Sequence, residues 1–335
     1  MPKKKKKHGE HYRLSKPADD TSRAYDSEYE DKDGERYRYD SDLGVGRYAE
    51  ARLFKSIKSG KTKVVLSPVL DDGHPEEPGG LSFTPETEAS FSSLKESISK
   101  YAFFKALYPK EPPFLVCKQG TYRIVLPKVA GIPYKQTPCV SAFDAQIKEA
   151  LGLIDALSHA QDNEIVIFDL KEDNILFDAS TGKFSLIDGG LHKLVGDRLS
   201  NAFICETDAM IAKYKVKCPQ IAPECWALKD KPCVKADFKM DIFSLGYIWR
   251  KKFIDPIPLI SHIIDSCLLE DPNQRPTLPL LKEAFRRLLP IYEVSDEESS
   301  SETGSVVENY ELHRSDWDAY VKRSVSNWLY GCDSP

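Results

Sequence analysis

The chain has 335 residues, with 47 Lys and Arg against 52 Asp and Glu, a formal net charge of −5. Hydrophobic residues make up 41% and aromatics 10%, enough for a sizeable core, which excludes wholesale disorder. The weak acidity argues against general nucleic-acid binding, and no apolar run approaches the roughly 20 residues of a membrane-spanning helix.

Residues 1–36 are polar and charged, open with the basic run Lys3 to Lys7, and are expected to be mostly disordered. No apolar stretch follows that run, so no secretory signal is expected, and Pro2 is incompatible with N-myristoylation. The run reads as a solvated tail, a polybasic membrane contact or a nuclear-localisation signal. Five charges at about 1 kcal/mol each give only weak peripheral membrane attachment. From Tyr37 to about Leu66 the chain reads as strands: Tyr48, Glu50, Arg52 and Phe54 alternate with Ala49, Ala51 and Leu53, and Ser59-Gly60 supplies a hairpin turn. Asp71 to Gly80 is a Gly/Pro/acidic loop. Thr84-Pro85-Glu86 suits a helix start, and the helix is expected to run through Phe91, Leu94, Ile98, Tyr101 and Phe104 to a stop at Pro109.

Phe114 to Pro127 returns to strand character, with a turn at Gly120. Ser141 to Ala160 is an amphipathic helix on which Phe143, Ile147, Leu151, Ile154 and Leu157 share a face. Two strand-like runs, Ile165–Phe168 and Phe184–Ile187, follow, with Gly182 between them. The chain then reads mainly helical to about Leu289. Residues 294–308 are acidic and Ser-rich, and Trp317, Tyr320, Val321, Val325, Trp328 and Leu329 form one stripe of a last helix. A β-rich first half and a helix-rich second half suggest an α+β chain of two lobes with a cleft between them. The eight cysteines, at 117, 139, 205, 218, 225, 233, 267 and 332, form no C-x-x-C pair and fit no zinc pattern, so they read as reduced thiols in a cytoplasmic protein.

The informative stretch is Ile167-Phe-Asp-Leu-Lys-Glu-Asp-Asn-Ile-Leu-Phe177, followed by Leu186-Ile-Asp-Gly-Gly190. It resembles the catalytic and metal-binding loops of protein kinases, whose patterns are H-R-D-L-x-x-x-N and D-F-G. The resemblance implies that Asp169 accepts or orients the substrate hydroxyl proton and that Lys171 steadies the transferring phosphate. It also implies that Asn174 and Asp188 hold Mg²⁺ against ATP. Downstream, Ala222-Pro-Glu224, Asp241-Ile-Phe-Ser-Leu-Gly246 and Asp271-Pro-Asn-Gln-Arg275 resemble three further segments of that family in the family's order. They imply an ion pair between Glu224 and Arg275, and an Asp241 that anchors the catalytic-loop backbone. Upstream, Gly44, Val45 and Gly46 resemble the glycine-rich loop over the nucleotide phosphates. The resemblance covers roughly residues 38–290. It implies a bilobal kinase-like fold with an N-lobe at 37–135 and a C-lobe at 136–292, followed by a linker at 293–309 and a C-terminal helix at 310–335.

Two departures matter. Ser67, closing Val64-Val-Leu-Ser67, stands where the family has its phosphate-clamping lysine, and Lys100 stands where it has the partner glutamate, with Glu96 one turn earlier. Either the chain is a pseudokinase, or another lysine supplies the clamp, with Lys100 the first candidate and Lys63 the second. The H-R-D arginine is also missing, which disfavours the usual phosphorylation control. Lys213, Lys215 and Lys217 around Tyr214 read as a solvated basic strand, or as a site for a phosphoinositide or inositol polyphosphate. The segments Phe103–Pro109, Asp169–Asn174 and Leu186–Gly190 look like the kinases that intracellular bacterial pathogens export, which implies a host protein substrate and a workplace in the host cytosol or at a membrane surface. The leading expectation is an ATP-dependent Ser/Thr protein kinase; a pseudokinase scaffold and a lipid or small-molecule kinase are the alternatives.

Overall fold

A computed structural model of the chain describes residues 28–31, 33–45, 49–68, 94–118, 121–188, 191–199, 204–228 and 234–298. The fold is α+β. The first part is an antiparallel sheet of β1 (Glu28–Glu30), β2 (Arg36–Val45), β3 (Ala49–Ser56), β4 (Thr62–Pro68), β5 (Phe114–Lys118) and β6 (Thr121–Pro127), in the order β1-β2-β3-β4-β6-β5. The β3–β4 turn falls where Ser59-Gly60 predicts it, and Gly60 takes φ +73, a conformation glycine adopts without steric cost. The sheet begins earlier than the sequence suggests. Glu28–Glu30, read as part of a disordered segment, pairs with Arg36–Arg38 because Tyr29 has a place to pack: its ring stacks on Tyr37 at 4.9 Å and meets Phe54 edge-on at 5.3 Å.

Pleating sorts the sheet into two faces. Tyr37, Phe54, Val65 and Val125 form a small cluster on one of them. Val64, Leu66, Ile124 and Leu126 on the other join the main core, against helix α1 (Leu94–Leu107) and its Phe103 and Phe104. The helix stops short of Pro109, as read. Its predicted start at Thr84, the 71–80 loop, Gly120 and the helix at 310–335 lie outside the described residues.

The second part is mainly helical: α2 (Phe143–Gln161), α3 (Asp208–Lys217), α4 (Phe238–Lys252), α5 (Pro258–Cys267) and α6 (Leu278–Glu298). In α2 the buried line is Ile147, Ala150, Leu153, Ile154, Leu157 and Ala160, the spacing of one helix face. The main core runs through it to Trp249, Ile263 and Phe285. The acidic segment read as beginning at residue 294 is helical as far as Glu298, the end of α6. Short strands thread between the helices: β7 (Ile132–Pro133), β8 (Ile165–Val166), β9 (Ile175–Asp178), β10 (Lys183–Leu186), β11 (Lys193–Leu194), β12 (Ile204–Cys205) and β13 (Ala227–Leu228). The strand-like run Ile165–Phe168 shrinks to two residues. Among the described residues no helix is long and apolar enough to cross a membrane, and Cys139, Cys205, Cys218, Cys225 and Cys267 are free thiols.

Candidate active site

Asp169 owes its position to an unusual backbone. Its N–H donates to the Ile167 carbonyl oxygen at 2.9 Å, closing a three-residue turn around Phe168, whose φ is +64. A non-glycine residue held there costs of order 1–3 kcal/mol and persists only where its surroundings enforce it. Here they do so twice. The Phe168 ring is buried in a cluster with Tyr214, Trp226 and Met240. The Asp241 carboxylate, projecting from the first turn of α4, accepts the N–H groups of Ile167 at 2.8 Å and Phe168 at 2.9 Å.

Asp188 reaches the same place through a hairpin. β9 and β10 pair antiparallel in the register Ile175 with Leu186, so Asn174 just before β9 lies opposite Ile187 just after β10. The Ile187 N–H donates to the Asn174 carbonyl at 3.0 Å. The turn is locked by Asp178, whose carboxylate accepts from the Ser180 N–H and hydroxyl and from the Thr181 hydroxyl, and by Gly182 at φ +67. β9 was not read from the sequence, yet it is the strand that returns Asp188 to Asn174.

The polar groups meet here. Lys171 Nζ donates to Asp169 Oδ2 at 2.6 Å. Asn174 Nδ2 donates to the Asp169 carbonyl at 2.8 Å and to its Oδ2 at 3.2 Å. Spending Nδ2 this way leaves the side-chain Oδ1 of Asn174 as its group for another ligand. Burial pushes the Asp169 carboxyl above the ordinary aspartate range, and the Asp188 charge adds to this against the opposing pull of Lys171 and Asn174. Burial alone would lower the Lys171 ammonium, but its hydrogen bond to Asp169 and the charges of Asp169, Asp188 and Asp173 leave it above its usual value. A carboxylate with raised basicity beside a fixed cation and a second carboxylate can take a proton from a hydroxyl and hold a hard cation bridged to a polyanion.

The remaining candidates fall as follows. Glu224 and Arg275 form a two-pronged ion pair, Nη1–Oε1 2.6 Å and Nη2–Oε2 2.8 Å. The other Arg275 donors go to the carbonyls of Leu269, Lys239 and Glu270, so all five N–H groups of a fully buried guanidinium are used. Gly44 sits at an irregularity in the β2–β3 pairing, Val45 ends β2, and Gly46 lies outside the described residues. The chain re-enters as strand β3 rather than as a helix, which makes this a hairpin. Ser67 is buried, and with Lys63 and Val65 it occupies the face of β4 turned from α1. Lys63 pairs there with Glu111 and is not brought to the Asp169 cluster. Lys100 lies on α1, and the position of its side chain falls outside the description.

Lys213, Lys215 and Lys217 are not on a strand, contrary to the sequence reading. Thr207 caps α3 by accepting the Met210 N–H, and all three lysines are helical and exposed, with Tyr214 buried and stacked on Trp226. Two neighbours of the site were missed. The Tyr108 hydroxyl donates to the Leu186 carbonyl at 2.7 Å, tying the end of α1 to the strand that leads to Asp188. Cys218, at the end of α3, packs against the cluster that holds Phe168, and burial raises its thiol, with the Asp169 charge adding to the rise. Neither residue carries a spacing signal; only the tertiary fold brings them here. No protein-family model and no curated protein matches the chain.

Proposed function

We propose that the chain is an ATP- and Mg²⁺-dependent protein kinase of bilobal form that transfers a phosphoryl group to Ser or Thr hydroxyls. The observation that carries this reading is the grouping of Lys171, Asn174 and Asp188 around Asp169. Asp169 orients the acceptor hydroxyl and takes its proton as the new P–O bond forms and the bond from the γ-phosphorus to the bridging oxygen breaks, releasing ADP; the raised pKa of its carboxyl suits it to that exchange. Lys171, held by Asp169, would contact the transferring phosphate with its remaining donors, as a positioned point charge. The side-chain Oδ1 of Asn174 and the Asp188 carboxylate would hold Mg²⁺. The described residues contain no group of three or more His, Cys, Asp or Glu able to cage a metal by themselves. That donor set fits an ion completed by phosphate and water oxygens, as Mg²⁺ prefers. Bound there, Mg²⁺ would neutralise the charge that develops on the phosphates.

One observation favours a second reading, a nucleotide-binding scaffold without transfer: Ser67 faces away from α1, and the nearby Lys63 is engaged by Glu111. Radiolabelled ATP with Mg²⁺ and a mixed protein extract separates the two. Transfer to protein that disappears in Asp169→Ala and Asp188→Ala supports the kinase. Nucleotide binding without transfer by the wild type leaves the scaffold.

A further inference from the structure

The acceptor's chemistry is the next question, and α3 bears on it. It packs beside the site: Tyr214 shares a buried cluster with Phe168, the residue before Asp169, and Cys218 just past the helix end packs against the same cluster. The helix is held by one face. Tyr214 is buried against Trp226, at a ring separation of 5.6 Å, and the next segment is pinned where the Ser244 hydroxyl donates to the Gln220 carbonyl at 2.7 Å. With Tyr214 inward, a turn of about 100° per residue puts Val216 outermost, Lys213 and Lys217 on one flank and Lys215 on the other. Burial agrees: Val216 is 83% exposed, the highest value among the exposed large hydrophobics, and all three lysines are exposed. None of the three is in an ion pair with a described residue. The ten-residue helix carries four ionisable charges, three Lys near its end and one Asp at its start, in a chain of net charge −5.

A local positive crest with an apolar residue at its centre is a recognition surface for an acidic segment. The lysines diverge to the two sides of Val216. A compact polyphosphate needs cations that converge on it, whereas an extended peptide can lie across the crest and meet both flanks. We propose that α3 docks an acidic segment of the acceptor protein, with an apolar side chain over Val216, and so delivers a neighbouring hydroxyl to Asp169. This rests on the phosphotransfer reading above.

The full chain is titrated into a Glu-rich fluorescent peptide containing one Leu, a Lys-rich peptide of equal length, and inositol hexakisphosphate. The Glu-rich peptide is expected to bind in a salt-sensitive way, and the variant Lys213→Glu/Lys215→Glu/Lys217→Glu to weaken it about tenfold or more. Val216→Ser is expected to weaken it without changing the salt dependence. Labelling of an acidic acceptor protein should fall in the triple variant relative to labelling of a basic one. Acidic-peptide binding that survives the charge reversal overturns the proposal, as does a loss confined to inositol hexakisphosphate, which would assign the lysines to a phosphate ligand. Peptide binding that responds as expected while neither acceptor is labelled keeps α3 as a docking surface and removes the phosphotransfer reading alone.

Discussion

Asp241 places both of its carboxylate oxygens on backbone N–H groups and none in water. Burial outweighs those two bonds and pushes the carboxyl up to about 7. An unfolded aspartate titrates near pH 4, so between about pH 4 and 7 the folded chain binds a proton that the unfolded chain has released. The stability contribution of this group is therefore full below about pH 4, falls as pH rises, and is fully lost above about pH 7. Urea midpoints of the wild type should show that fall, and Asp241→Asn, weaker at every pH, should lack it; parallel pH profiles would mean the carboxyl titrates normally. Arg275 shows the opposite device, a buried charge with every donor matched. Glu224→Ala leaves that guanidinium unpaired and should cost roughly 3–5 kcal/mol, read from the urea midpoint at constant slope. The double variant Glu224→Leu/Arg275→Met removes the orphaned charge but should stay well below the wild type, because the carbonyls of Leu269, Lys239 and Glu270 lose their donors.

Between elements, α4 and α5 approach so closely that a Cβ added to Gly246 would lie 2.6 Å from the Cys267 Cβ. Gly246→Ala must therefore push the helices apart, at about 1–3 kcal/mol; a denaturation midpoint within error of the wild type would show that the contact gives way freely. This scale also separates what the sequence reveals from what it hides. Asp169, Lys171, Asn174 and Asp188 are legible because the proposed phosphotransfer would demand fixed residue types at short spacing, and the hairpin of β9 and β10 makes their meeting a matter of register. β9 itself is hidden: Ile175-Leu-Phe177 is a short apolar run whose strand identity depends on its partner. Lys213, Lys215 and Lys217 mimic a strand because they alternate, and the helix is decided by the Thr207 cap and by the burial of Tyr214. Lys63 is a question of parity. Which face of β4 meets α1 depends on where Phe103 and Phe104 pack, and no local pattern states that.

Across the whole molecule, one apolar core links the sheet to the helices. Leu126 of β6, Phe103 and Phe104 of α1, Ile154 of α2, Trp249 of α4 and Phe285 of α6 belong to a single buried cluster. The Tyr108–Leu186 hydrogen bond crosses the same junction. A β-rich part and a helical part joined only by a flexible connection would melt separately. Sharing a core couples them, because neither part can expose its half without exposing the other's. Phe104 lies at the junction, 2% exposed, with its ring on Tyr108 at 6.2 Å. Phe104→Ala should cost about 3–5 kcal/mol and lower both halves together. With Trp317 and Trp328 replaced by Phe, fluorescence of Trp226 and Trp249 reports the helical part, and hydrogen exchange at the amides of β3, β4 and β6 reports the sheet. In the wild type the two probes should give one midpoint in urea, and in Phe104→Ala one lower midpoint. A variant in which the sheet amides exchange at low urea while the tryptophan transition stays in place would show that the sheet unfolds as its own unit and that the shared core does not bind the two parts into one.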